Sequence, residues 1–208
     1  MIEVIDIKYM YNIIKLDLNT GESINLSYNL FDLYRLERGK VLDLIEYQQL
    51  KKESDKINCK RKALTYLSIR ARSSLEMEKY LSKKEFLGDV IREVIGELKK
   101  SDYINDYNYA VMYINSKNNR KIVGENLLKR DLYKKGVSRE IVRKSLKKCD
   151  VGSVDFDKVY AIAIKKLQNL GNKKNKMSKL VYFLKYRGFN DNTIHVIIDR
   201  LKNEGFGL

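Results

Sequence analysis

Leu132-Tyr133-Lys134-Lys135-Gly136-Val137-Ser138-Arg139-Glu140-Ile141-Val142 reads as the end of one helix, a glycine turn and the start of another. Two lysines suit the negative end of a helix, and glycine readily takes the left-handed conformation that closes one. Ser138 then offers a hydroxyl to cap the next helix. The arrangement recurs: Glu85-Phe86, Gly136-Val137 and Gly188-Phe189 lie 51 and 52 residues apart. Leu81, Leu132 and Leu184 stand four positions before the three turns, and Ile91, Val142 and Ile194 stand five positions after them. Ile95, Leu146 and Ile198 extend the register. Ala63-Leu64, Ala110-Val111 and Ala161-Ile162 mark an earlier helix in each unit. Each unit is therefore helix, helix, tight turn, helix. Repeats of this length predict stacked supersecondary units.

Further caps fit the same frame. Ser73-x-x-Glu76 has the pattern of a capping box, and Asn105 or Asp106 and Asn190 or Asp191 are candidate helix starts. Upstream of the repeat the period changes to two. Ile5, Ile7 and Tyr9 alternate with Asp6 and Lys8, while Ile14, Leu16 and Leu18 alternate with Lys15 and Asp17. After the Asn19-Thr20-Gly21 turn, Ile24, Leu26 and Tyr28 alternate with Ser23, Asn25 and Ser27, which predicts a hairpin of three strands with one buried face. A short helix over 29–38 is expected to stop at Gly39, and the helical period takes over from about Leu42. The expected fold is mainly α: tandem three-helix repeats forming an elongated curved rod, with a small N-terminal β-hairpin or three-strand element. The expected boundaries are 1–55 for that element and 56–104, 105–153 and 154–208 for the three modules.

Formal net charge is +15 over 208 residues, and it is unevenly placed. Residues 1–60 hold nine Lys/Arg against ten Asp/Glu, so the chain beyond residue 60 carries +16. Such an excess attracts polyanions, and nucleic acid or a protein bound to nucleic acid is the expected partner. No stretch approaches the roughly 18 apolar residues of a membrane span. Glu3 and Asp6 argue against a secretory signal. Cys59 and Cys149 lack metal-type spacing and read as reduced thiols of a cytoplasmic protein.

Four stretches carry a family resemblance. Tyr66-Leu67-Ser68-Ile69-Arg70-Ala71-Arg72-Ser73 resembles the Y-L-x-x-R-x-R-S entry of the RecX regulators. Tyr103-Ile104-Asn105-Asp106 with Tyr109-Ala110, Gly124-x-x-Leu127-Leu128-x-x-x-Leu132-x-x-Lys135-Gly136-Val137, and Leu180-x-x-x-Leu184-x-x-Arg187-Gly188-Phe189 follow in family order. The N-terminal hairpin matches the form common in these proteins from Gram-positive bacteria. Ala71 stands where proline is usual. Glu85 stands where glycine is usual, which leaves the first turn's geometry open. The resemblance implies a non-enzymatic, monomeric modulator of the recombinase RecA. Such a protein lies along the RecA–single-stranded DNA filament and restrains its recombinase, ATPase and coprotease activities. Weak, sequence-independent binding to single- and double-stranded DNA is expected alongside.

The candidate contact residues are Arg70, Arg72, Lys83, Lys84, Lys134, Lys135, Lys185 and Arg187. Lys84, Lys135 and Arg187 immediately precede the three turns. A positive charge there is favourable in any helix, but its repetition at one geometric place suggests a contact row. Tyr80, Tyr103, Tyr107, Tyr109 and Tyr113 are possible base-stacking rings, though most are expected in the core or at a groove edge. Catalysis lacks an inventory. His195 is the only histidine, no Gly-rich phosphate loop is present, and Asp155 and Asp157 fit a helix start. Lys176-Met177-Ser178-Lys179 matches the KMSK motif of class I aminoacyl-tRNA synthetases without that motif's His-rich partner, and reads as an ordinary helix start. No cofactor or metal is expected. The competing reading is a helix-turn-helix transcription regulator, for which Leu180 to Phe206 has the right outline.

Overall fold

The computed structural model describes residues 1–151, 155–171 and 174–206. The expected boundary at 153/154 therefore falls outside the described residues. The described elements run β1 (Ile2–Tyr9), β2 (Ile14–Leu18), β3 (Ser23–Leu26), α1 (Tyr28–Leu33), β4 (Val41–Leu42), α2 (Leu44–Leu67), α3 (Ser74–Ser82), α4 (Gly88–Lys100), α5 (Asp106–Arg120), α6 (Glu125–Lys134), α7 (Arg139–Lys148), α8 (Phe156–Leu170), α9 (Lys176–Tyr186) and α10 (Asp191–Asn203). They divide into two compact units, one of Met1–Arg72 with Glu76–Ile104, the other of Ser73–Leu75 with the chain from Asn105 onward.

In the first unit the sheet has four strands in the order β3-β2-β1-β4, all neighbours antiparallel. The fourth strand is two residues long, too short to give a period, and pairs Val41 and Leu42 with Glu3 and Ile2. The alternation in β1 is interrupted. Val4 pairs with Leu18 and Asp6 with Asp17, so Ile5 is an extra residue on one strand. Val4 is fully buried while Ile5 and Tyr9 are exposed, and Ile7 is partly buried against the core. The buried face is Val4, Ile14, Leu16, Leu18, Ile24 and Leu26, with Leu50 of α2 against it.

α2 opens on a capping box of Asp43 and Glu46 and serves two cores. Leu50 meets the sheet, where Ser54 accepts the Asn25 N–H at 2.8 Å. A few turns later Cys59 and Ala63 pack with Met77, Leu81, Val90, Ile91, Val94 and Leu98 of α3 and α4. Lys56 and Lys60 reach Glu93 and Glu97 of α4 at 2.6–2.9 Å.

The second unit holds two such three-helix cores. α5–α7 bury Ala110, Ile114, Leu128, Leu132, Val137, Val142 and Leu146. α8–α10 bury Ala163, Leu167, Leu180, Leu184, Phe189, Ile194, Ile197 and Leu201. The counterpart of Ala63 and Ala110 is thus Ala163, whereas Ala161 is exposed. Asn105, Ser138, Asp155 and Asn190 cap α5, α7, α8 and α10 through their side chains.

The two cores of the second unit meet at two glycines. Gly124 N–H donates to the Arg187 carbonyl at 2.9 Å, and Asn126 N–H donates to the Gly188 carbonyl at 3.0 Å. A Cβ on Gly188 would lie 2.1 Å from the Leu127 nitrogen, and one on Gly124 would lie 2.2 Å from the Gly188 oxygen. Residues 73–75 make a related contact: the Ser73 hydroxyl donates to the Lys135 carbonyl at 2.7 Å, and Leu75 fills the space where Gly136 has no side chain.

Candidate interaction site

The three repeated turns are built alike. Residues Glu85, Gly136 and Gly188 all have left-handed backbones, with φ of 64°, 77° and 86°. Their N–H groups donate to Ser82, Tyr133 and Lys185 at 3.0, 2.9 and 2.9 Å. Glu85 therefore keeps the geometry that glycine takes in the other two turns, at the steric cost of a left-handed Cβ. The second turn of each group repeats too, with Asp102, Asp150 and Gly205 at φ of 57°, 48° and 85°.

The basic residue before each turn faces an aromatic ring. Lys84 Nζ is 5.9 Å from the Tyr80 centroid, and Arg187 Cζ is 4.9 Å from Phe183. Each ring lies four positions earlier, on the same helical face. Lys135 Nζ uses the neighbouring helix instead, 5.8 Å from Tyr109 and 5.5 Å from Tyr113. An exposed cation–π contact contributes about 0.5–1 kcal/mol, similar to a cation at a helix C terminus. Two modest attractions hold each charge in place. Arg187 has a third, donating Nη1–H to the Ile122 carbonyl at 3.0 Å.

Arg70 and Arg72 separate. Arg70 is exposed and 3.6 Å from Glu76. Arg72 is only 9% exposed, with its guanidinium 3.8 Å from the Tyr66 centroid. Tyr66 stacks on Tyr80 at 3.9 Å and 8°, so Arg72, Tyr66, Tyr80 and Lys84 form one run of contacts. The Arg72 Nε is buried without a hydrogen-bond partner. This arginine is a packing residue in the first unit, not a presented charge. Lys83 and Lys134 are exposed, and Lys185 is exposed but 2.9 Å from Asp191.

Most of the tyrosines named as possible base platforms are engaged. Tyr109 is buried, and Tyr80 and Tyr113 are partly covered and lie beneath lysines. Tyr113 donates to Asp131 at 2.7 Å. Burial, then that acceptor, holds its phenol well above the usual range. Tyr103 is 63% exposed and remains available. His195 sits on the surface of α10, 3.2 Å from Asp199. Lys176–Lys179 form the first turn of α9, which opens without a side-chain cap from Asn175, itself in a left-handed backbone at φ 61°. Among the described residues no group of three or more His, Cys, Asp or Glu could hold a metal ion, and no helix is long and apolar enough to cross a membrane.

What the sequence reading missed is the set of partners. The i−4 aromatics of Lys84 and Arg187 were visible as a pattern, whereas the partners of Lys135 and Arg72 lie 22 or more and six positions away.

Tandem three-helix groups that follow a small sheet in the chain, with one basic turn repeated, define a helical repeat protein. Residues 59–98 match the first three-helix domain of RecX and residues 105–146 match the second. A regulatory protein RecX from Finegoldia magna is 30% identical over 179 residues, covering 84% of this chain and 87% of its own length. One from Bacillus cytotoxicus is 29% identical over 195 residues, covering 92% of this chain, which in turn spans 72% of that protein. The crystal structure of RecX from Lactobacillus salivarius superposes with a TM-score of 0.61 at 30% identity, over 72% of this chain and 97% of the other. The chain belongs to the RecX family, whose members named here are regulatory proteins.

Proposed function

We propose that the protein binds the RecA–DNA filament and restrains its recombinase, ATPase and coprotease activities, without chemistry of its own. Weak, sequence-independent binding to DNA accompanies this. The observation that carries the reading is family membership at 30% identity across most of the chain. The charge supports it: an excess of +16 beyond residue 60 favours a partner that encloses a polyanion.

The division into modules 56–104, 105–153 and 154–208 belongs to the same proposal. A helical filament repeats its own surface, so three similar basic modules can engage it at several points. Linked weak contacts then yield an avidity that no single contact has. Arg70, Lys83, Lys84, Lys134, Lys135, Lys185 and Arg187 are the proposed contacts, while Arg72 positions the surface from beneath. Monomeric action in the cytoplasm completes the reading.

Co-sedimentation tests it. Labelled protein is mixed with RecA filaments assembled on single-stranded DNA, with bare DNA, or with RecA alone. The proposal expects preferential pelleting with filaments. Equal pelleting with bare DNA would reject a filament-directed role and leave a DNA-binding protein of another kind.

A further inference from the structure

The groove where the end of α5 meets α8 and α9 touches the repeated row only at the third turn, through Phe183 and Arg187. It encloses about 750 Å³ and is lined by Arg120, Lys121, Lys158, Lys165, Lys166 and Arg187. Asparagines supply its other polar walls, and among the described residues no carboxylate lines it. Lys158 is 2.9 Å from Asp155. Among the described residues Arg120, Lys121, Lys165 and Lys166 have no acidic partner. Two of the cations lie near the Phe183 ring, Lys166 Nζ at 5.2 Å and Arg187 Cζ at 4.9 Å from its centroid. Like charges gathered round one ring repel each other. An anion lying between them is the counter-charge that relieves the repulsion.

A second groove continues the first and shares Lys166 and Phe183 with it. Its character is different. Tyr182 and Tyr186 line it and are 71% and 63% exposed, far more than the tyrosines packed under the turns. They stand four positions apart on α9, so their rings project from one face with Cβ atoms about 5–6 Å apart. That spacing suits adjacent bases of an extended strand. Arg130 approaches the Tyr186 ring at 5.8 Å and adds another cation at that end.

A cationic floor that runs into exposed aromatic rings is the chemistry of a strand-binding surface, in which phosphates meet the charges and bases stack on the rings. A duplex satisfies only the first half, because its bases are already stacked inside. We propose that the α8–α9 face is a binding track for single-stranded nucleic acid. Lys121, Lys165 and Lys166 meet phosphates, and Tyr182 and Tyr186 meet bases. The track deepens the DNA binding of the proposed function and rests on that part of it.

Fluorescence anisotropy of the full chain with a labelled oligothymidylate of roughly thirty nucleotides, longer than a typical strand site, tests the track. The combined Lys121→Gln, Lys165→Gln and Lys166→Gln variant is expected to flatten the plot of log affinity against log salt by about 2. Should that variant melt early, Lys121→Gln with Lys165→Gln, both exposed, replaces it with an expected change of about 1.4. Tyr182→Ala with Tyr186→Ala is expected to weaken oligothymidylate binding roughly tenfold or more and to leave binding of an abasic strand unchanged. Parent-like slope and affinity in folded variants would overturn the track and leave DNA binding to be placed elsewhere on the chain. A parent chain that inhibits RecA yet never binds the bare strand at low salt would also overturn it, with the regulatory reading intact. A chain that does neither would remove both.

Discussion

Replacing Gly188 with alanine tests the junction that joins the two cores of the second unit. Gly188 has φ of 86°, and a Cβ there would meet the Leu127 nitrogen at 2.1 Å and Cα at 2.7 Å. These are backbone atoms, so no side-chain rotation relieves the clash and the start of α6 must move away. Two backbone hydrogen bonds cross the gap, at 2.9 and 3.0 Å, and both must lengthen. At about 1 kcal/mol net for each bond, plus about 1–2 kcal/mol for a left-handed alanine, the loss is about 3–4 kcal/mol. Gly205 supplies the control, because it has φ of 85° with nothing within 4 Å of a built Cβ. Gly205→Ala should therefore cost only the backbone strain, about 1–2 kcal/mol. Guanidinium unfolding followed by helical circular dichroism compares the two variants. A Gly188→Ala loss within about 0.5 kcal/mol of the Gly205→Ala loss would refute the close backbone approach.

The turns and buried groups make further predictions. Glu85→Gly should stabilise the first unit by up to about 1 kcal/mol, since it removes a left-handed Cβ from a turn that glycine fills in the other groups; a lower unfolding midpoint would contradict that. Arg187→Gln should cost more stability than Lys84→Gln, because only Arg187 also bonds the Ile122 carbonyl, and paired unfolding curves would show the difference. Lys84→Gln, Lys135→Gln and Arg187→Gln combined should weaken RecA inhibition far more than the singles suggest, and a folded triple variant with full inhibition would remove the row from the contact surface. Burial pushes the Cys59 thiol up to about 11 from an ordinary 9.0, so the folded state holds its proton longer than the unfolded state. Its contribution to stability is present below pH 9 and is lost as pH rises toward 11. Thiol alkylation at neutral pH should accordingly leave Cys59 intact until the protein unfolds.

The helical repeat was legible because it rests on short-range regularities. Leu81, Leu132 and Leu184 sit at fixed distances from their turns, and all three are fully buried. The cap at Ser138 was readable from residue type and position, and those of α5 and α10 to within one residue, the structure selecting Asn105 over Asp106 and Asn190 over Asp191. The N-terminal element was harder, since one extra residue at Ile5 breaks the alternation and β4 is too short to show any. The sequence register points to Ala161, whereas Ala163 of the same helix is the buried one, a difference that only packing decides. The candidate site was legible as charge but not as contact. Lys84, Lys135 and Arg187 were found by repetition, whereas the burial of Arg72 on Tyr66 depends on how α2 and the segment after it fold together. The Gly124–Gly188 approach joins residues 64 positions apart, and no local period reports it.

The regulatory account is tested most directly by the DNA-dependent ATPase of the cognate RecA, measured at low salt while this protein is added to preassembled filaments. The account predicts a progressive fall in hydrolysis, large by the time the protein approaches the amount of RecA, and reversal as salt weakens the basic contacts. Unchanged hydrolysis at a several-fold molar excess of folded protein would contradict it.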